Sequence, residues 1–159
     1  MASYVLGSVF KKIYEKTFSK NSFDDRLEMQ KAMYLLQELG ISVGDYDFMW
    51  YKHGPYSQSL QNDILNFQTK DMDINVSYSR DAETVIQALN NVIMHSDIHY
   101  DTKDWAECLG SMQYLRENIL PSSASDEQVI EELVKRKNHL NKHDDNKVAL
   151  ERLKELFVA

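Results

Sequence analysis

The chain has 159 residues, a formal charge of −7, 43% hydrophobic residues and 27% charged residues. That length buries a core without metal or disulfide staples, and that composition excludes wholesale disorder. A single cysteine, Cys108, excludes a disulfide framework, and no apolar run has the form of a signal peptide or a membrane span. The expectation is a cytoplasmic single domain, residues 1–159, that makes no membrane contact.

The charge is uneven. Residues 1–20 carry four Lys against one Glu, and residues 135–147 carry five Lys or Arg against two Asp. Between them, residues 21–134 hold seven basic and twenty acidic side chains. An acidic body repels phosphate and anionic lipid over long range, so nucleic acid is left to the two basic ends.

Few breakers interrupt the chain, with five Gly and two Pro. Val5, Leu6, Val9, Phe10 and Ile13 share one face of a helix predicted from Ser3 to Thr17. Ser22 reads as the N-cap of a second helix, with Asp24 and Asp25 in its first turn and Met29, Ala32, Met33, Leu36 and Leu39 inward. Gly40 is its expected stop.

Tyr46 to Tyr51 is aromatic-rich and reads as a strand, with Phe48 and Trp50 on one face and Met49 and Tyr51 on the other. Apolar residues on both faces predict cover on both sides. Gly54-Pro55 ends it. Ser57 then caps a short helix to about Gln68 with Leu60, Ile64 and Phe67 inward. Ile74, Val76 and Tyr78 alternate with polar residues as a second strand, expected to pair with the first.

The remainder is helical. Ala82, Val85, Ile86, Leu89, Val92 and Ile93 form one stripe, and Trp105, Cys108, Leu109, Met112, Leu115 and Ile119 the next. Pro121 to Ala124 is a short loop. Ser125 with Gln128 three residues on is a capping-box pattern. It opens a helix with Val129, Ile130, Leu133 and Val134 inward, and Asp144 or Asp145 caps a last helix carrying Ala149, Leu153 and Leu156. The fold class is α+β, mainly α: six or seven helices around one core with a small β-sheet, an order compatible with a winged-helix-like core.

The segment Trp50-Tyr-Lys-His-Gly-Pro-Tyr-Ser57 concentrates the unusual chemistry. Lys52, His53 and Tyr56 around a rigid turn suit recognition, while Gly54, Pro55 and Ser57 suit the turn and cap themselves. A nucleophile system of His53 and Ser57 with Asp63, or an enzyme centred on His53, Tyr56 and Ser57, lacks the G-x-S-x-G elbow. Two histidine pairs, His95 with His99 and His139 with His143, have the i, i+4 spacing of zinc sites but no glutamate following the first His. Near helix ends, they read as partners of terminal carbonyls. No phosphate-binding glycine motif is present. The reading is therefore no catalytic set, no metal and no cofactor.

The two terminal helices could pass for a helix-turn-helix, which makes Lys135, Arg136, Lys137 and Lys142 the nucleic-acid-binding candidates of an alternative, winged-helix regulator. Asp144 and Asp145 at the start of the last helix would repel phosphate.

The helix Arg26-Leu-Glu-Met-Gln-Lys-Ala-Met-Tyr-Leu-Leu-Gln37, followed by F-x-W-Y-x-H-G-P-Y-S-x-x-L, resembles small bacterial proteins of the YwgA-like type. More loosely it is similar to the Panacea, or SocA-like, antitoxin domain, with its Q-K helix before a strand and a G-P turn. That resemblance implies a non-catalytic domain that binds a partner protein, antitoxin-like or accessory to phage defence, including a CRISPR-associated locus. It points to Gln30, Lys31, Lys52, His53 and Tyr56; Trp50 of the same segment joins them as a partner-binding candidate. The chain lacks the wider Panacea pattern after the turn.

Overall fold

A computed structural model describes residues 3–42, 44–68, 70 and 75–158. Among them are seven α-helices and one two-stranded antiparallel sheet. The helices are α1 (Ser3–Tyr14), α2 (Phe23–Glu38), α3 (Gln58–Leu65), α4 (Arg80–Met94), α5 (Thr102–Tyr114), α6 (Asp126–Arg136) and α7 (His143–Leu156). The strands are β1 (Met49–Tyr51) and β2 (Gly54–Tyr56), and a π-helical turn, Leu115–Ile119, extends α5.

The central pair is α2 against α5. On one side α1 packs on α4; on the other, α6 and α7 pack on α5, and the hairpin sits across α2 and α5. One apolar cluster runs from Leu6 in α1 to Leu153 in α7. Leu6, Phe10 and Ile13 have no exposed surface, and burying each stabilises the fold by about 2 kcal/mol relative to exposure. No helix among the described residues is long and apolar enough to cross a membrane.

Local signals set most helix starts. Ser22 Oγ accepts from Asp25 N, Ser57 Oγ from Leu60 N and Ser125 Oγ from Gln128 N, and the Gln128 side chain accepts from Ser125 N to complete the capping box. Gly40, at φ +90°, ends α2 as expected. The first helix stops at Tyr14 rather than Thr17, because Glu15 turns to φ 59° and its carboxylate accepts from Asn90 Nδ2 of α4 at 2.9 Å.

Three expectations are corrected. The strand near 46–51 pairs not with 73–78 but with Gly54–Tyr56, in the register Met49↔Tyr56, Trp50↔Pro55 and Tyr51↔Gly54. Asn75 to Tyr78 form no strand, and Asp73 and Ile74 lie outside the described residues. Gly54 at φ +87° closes the reversal, and Pro55, which has no N–H to offer, is tolerated because a two-stranded ribbon is all edge. The strand is not covered on both sides: Met49 and Tyr51 are exposed while Trp50 is half-buried.

Third, α7 begins at His143 after Lys142, which makes no side-chain cap, and Asp145 caps nothing there. Its buried carboxylate instead accepts from His99 N and Tyr100 N, both at 2.8 Å. Asn146 continues this knot, accepting from Tyr100 Oη and donating to Leu140 O. The start of α7 is thereby tied to the loop between α4 and α5.

Candidate functional site

The hairpin is held from behind by polar groups. Gln30 Oε1 accepts from Ser57 N and Gln30 Nε2 donates to Ser57 O, both at 2.9 Å and buried. Lys31 Nζ, deep in the molecule, donates to Pro55 O at 2.8 Å. From the end of α6, Lys137 Nζ donates to Tyr51 O at 3.1 Å and to Lys52 O. Carbonyls and an amide of a short hairpin, which has no further strand to bond, are satisfied this way.

Sequence order explains the clamp. Gln30 and Lys31 are adjacent on α2, and Lys31 lies one turn from Leu27 and Leu35, both buried. A lysine in that line must go inside with them. Burial is the chief cause that pushes Lys31 down to about 7, with Lys137 acting the same way and Glu107 opposing. Burial likewise lowers Lys137, again against Glu107.

Glu107 of α5 sits beneath the hairpin, 1% exposed. His53 Nδ1 at the hairpin tip is 3.7 Å from its Oε1, and His139 Nε2, from the loop between α6 and α7, is 3.1 Å from its Oε2. Burial moves His53 below the ordinary imidazole value, and Glu107 pulls it back. Asp104, one turn before Glu107 on α5, is raised by burial and then by the Asp101 carboxylate.

In front of the clamp lies a groove of about 390 Å³ between the start of α2 and the hairpin. Phe23, Leu27, Tyr51 and Tyr56 form its apolar wall. Arg26, Lys52, His53, Gln30, Lys31 and Gln61 supply its polar groups, and none of the lining residues is acidic. Phe23 and Tyr51 are 50% and 53% exposed, unusual for side chains of that size. Tyr51 and Tyr56 stack at 5.2 Å. On the other side of that pair a second hollow, lined by Asp47, Met49, Gln58 and Ser59, continues the surface.

Five of the six partner-binding candidates therefore meet in one place, but in two roles. Lys52, His53 and Tyr56 offer surface; Gln30 and Lys31 face inward and hold the hairpin. Trp50 is on the back of the hairpin, against Tyr114 and beneath the Arg136 and Lys137 cations. Phe23, Arg26 and Tyr51 belong to the groove and were not anticipated; an exposed aromatic at the first position of α2 was their one signal.

The basic candidates of the alternative reading do not present one common face. Lys135 is exposed, Arg136 pairs with Glu132 at 2.7 Å, Lys137 is turned inward, and Lys142 Nζ lies over the Tyr100 ring. Ser57 is buried as a helix cap, and Asp63 accepts from Tyr46 Oη at 2.6 Å, so His53, Ser57 and Asp63 do not assemble as a nucleophile system. All five histidines lie against carboxylates rather than helix-end carbonyls. Within each i, i+4 pair the acids differ: Glu15 for His95 and Asp145 for His99, Glu107 for His139 and Glu127 for His143.

No protein-family model, no curated protein and no solved structure matches the chain.

Proposed function

We propose that this is a non-catalytic interaction domain whose groove docks an acidic segment of a partner protein carrying an aromatic or aliphatic anchor. One observation carries the reading. In a chain where Asp and Glu outnumber Lys and Arg by 25 to 18, the aromatic groove presents Arg26 and Lys52 with His53 beside them, and is lined by no acid. Exposed aromatics supply contact area at low entropic cost, and the cations give sign and orientation to what enters.

The extent of the surface favours a polypeptide over a small molecule. The groove and the second hollow share the Tyr51–Tyr56 wall and stay open along it. The clamp beneath keeps the hairpin in place, so little ordering entropy is spent on docking. The likeness to the SocA-like antitoxin domain supports the same role, with the partner a protein that an antitoxin-like or phage-defence regulator would hold.

The test is selection from a displayed peptide library against the purified chain. The expected result is enrichment of sequences combining Asp or Glu with an aromatic or aliphatic residue, with affinity falling as salt rises. Tyr51→Ala and Lys52→Glu each weaken binding by about tenfold or more at unchanged melting temperature. Selected peptides without acidic residues, or binding indifferent to both substitutions, would overturn the reading.

A further inference from the structure

Beneath the groove, the geometry points to a divalent transition-metal site formed by Asp104, Glu107 and His139, with His53 beside it. One ligand atom from each of the three lies within 4.8 Å of the others. They come from two places that the fold brings together: one face of α5, where Asp104 and Glu107 are a turn apart, and the loop before α7, which supplies His139. Carboxylate oxygens with an imidazole nitrogen suit zinc, manganese or ferrous iron.

A second observation is the state of Glu107. It is 1% exposed, and its Oε2 has no hydrogen-bond partner. His139 Nε2 stands only 3.1 Å away, yet in a direction that makes no hydrogen bond. Ligand atoms about 2.0–2.2 Å from a shared four-coordinate ion are separated by roughly 3.3 Å. A nitrogen and an oxygen that close but unaligned have the spacing of two ligands to a common third atom.

The charges leave a place for that atom. No Lys or Arg among the described residues forms an ion pair with Glu107 or Asp104; Lys31 and Lys137 are near enough to feel the Glu107 charge but give their Nζ protons to carbonyls of the hairpin. A buried carboxylate beside a second carboxylate calls for a cation. His139 and His53 are about half exposed, so an ion has a way in from solvent. The ion would join α5 to the α6–α7 loop, with His53 Nδ1 standing 3.7 Å from the other Glu107 oxygen.

The inference stands apart from the docking reading. Peptide selection in chelator tests the groove alone, and metal titration without peptide tests this site alone. The chelator-stripped chain is titrated with Zn²⁺ by calorimetry, and with Co²⁺ by its visible absorption, which reports ligand number and type. The expected result is a single equivalent bound, a four- or five-coordinate Co²⁺ spectrum, and affinity at least about tenfold weaker in both His139→Ala and Asp104→Asn. His143→Ala, at the first position of α7, leaves affinity unchanged. Glu107 is buried and its loss can unfold the chain, so the more accessible ligands, His139 and Asp104, carry the test. No binding of either ion, or binding equally tight in wild type and both ligand variants, overturns the site; the second outcome assigns the ion to another surface histidine.

Discussion

Where α1 meets α4, the buried residues are Leu6, Val9, Phe10 and Ile13 on one side and Ile86, Leu89, Val92 and Ile93 on the other, with Asn90 the one buried polar residue of α4. Where α2 and the end of α6 meet the hairpin, the buried residues include Gln30, Lys31 and Lys137, all three bonded to backbone atoms of residues 51–57. The first layer is held by area removed from water, which is tolerant of direction. The second is held by directed bonds to a few backbone atoms, which are not. A layer of the first kind makes a stable scaffold, and one of the second kind fixes a small exposed element that cannot stabilise itself.

Four measurements put that contrast at risk. The largest expected effect is in the apolar layer: Phe10→Ala removes a ring packed against Tyr14 and Phe18 and destabilises the chain by about 3–5 kcal/mol in urea unfolding. Gln30→Ala leaves the Ser57 amide buried without a partner, while the Ser57 carbonyl keeps the Gln61 N–H, for a loss of about 2–3 kcal/mol. Its signature is early amide exchange of residues 49–57 while α1 and α4 stay protected. Equal exposure of both layers would mean that they do not differ in this way.

The third effect depends on pH. Lys31 titrates near 7 when folded and at 10.5 ordinarily, so between those values the unfolded chain binds the extra proton. Stability from this group therefore rises with pH across that window and is flat below it. Lys31→Met removes the slope, and wild type minus variant should gain about 2 kcal/mol between about pH 7 and pH 9, at up to ~1.4 kcal/mol per unit. A constant difference would show that the lysine keeps its charge inside. Smallest is Ser125→Ala, about 1 kcal/mol, because it removes a cap at the exposed start of α6.

The two layers also differ in how far the sequence revealed them. The α1 and α4 stripes are periodic, and the caps at Ser22, Ser57 and Ser125 are set by residues three positions away, so both were legible. The inward course of Lys31 and Glu107 was not. A charged side chain goes inside only when the fold sets a partner opposite, and those partners are distant in sequence: Pro55 for Lys31, His53 and His139 for Glu107. Lys31 in line with Leu27 and Leu35, and Glu107 between Trp105 and Cys108, were the signs. The hairpin was missed for another reason: Gly54-Pro55 reads as a strand end, and three-residue strands leave no alternation to count.

Of the aromatic turn's candidates, those that proved to be surface, Lys52, His53 and Tyr56, were legible because exposed turns concentrate such residues. Gln30 and Lys31 were picked out with them but through resemblance, and the structure gives them the inward task of the clamp. Trp50 was grouped with the turn by proximity in sequence, although alternation along β1 sends it to the opposite side from Tyr51.

Cys108 has no exposed surface, its Sγ donates to Asn146 Oδ1 at 3.3 Å, and burial holds the thiol well above its usual value. A reagent that needs thiolate therefore waits for the surrounding helices to part. The lone thiol is a built-in stopwatch: the rate at which an aromatic disulfide dye labels the native chain reads the frequency of large-scale opening, with no fluorophore or tag attached.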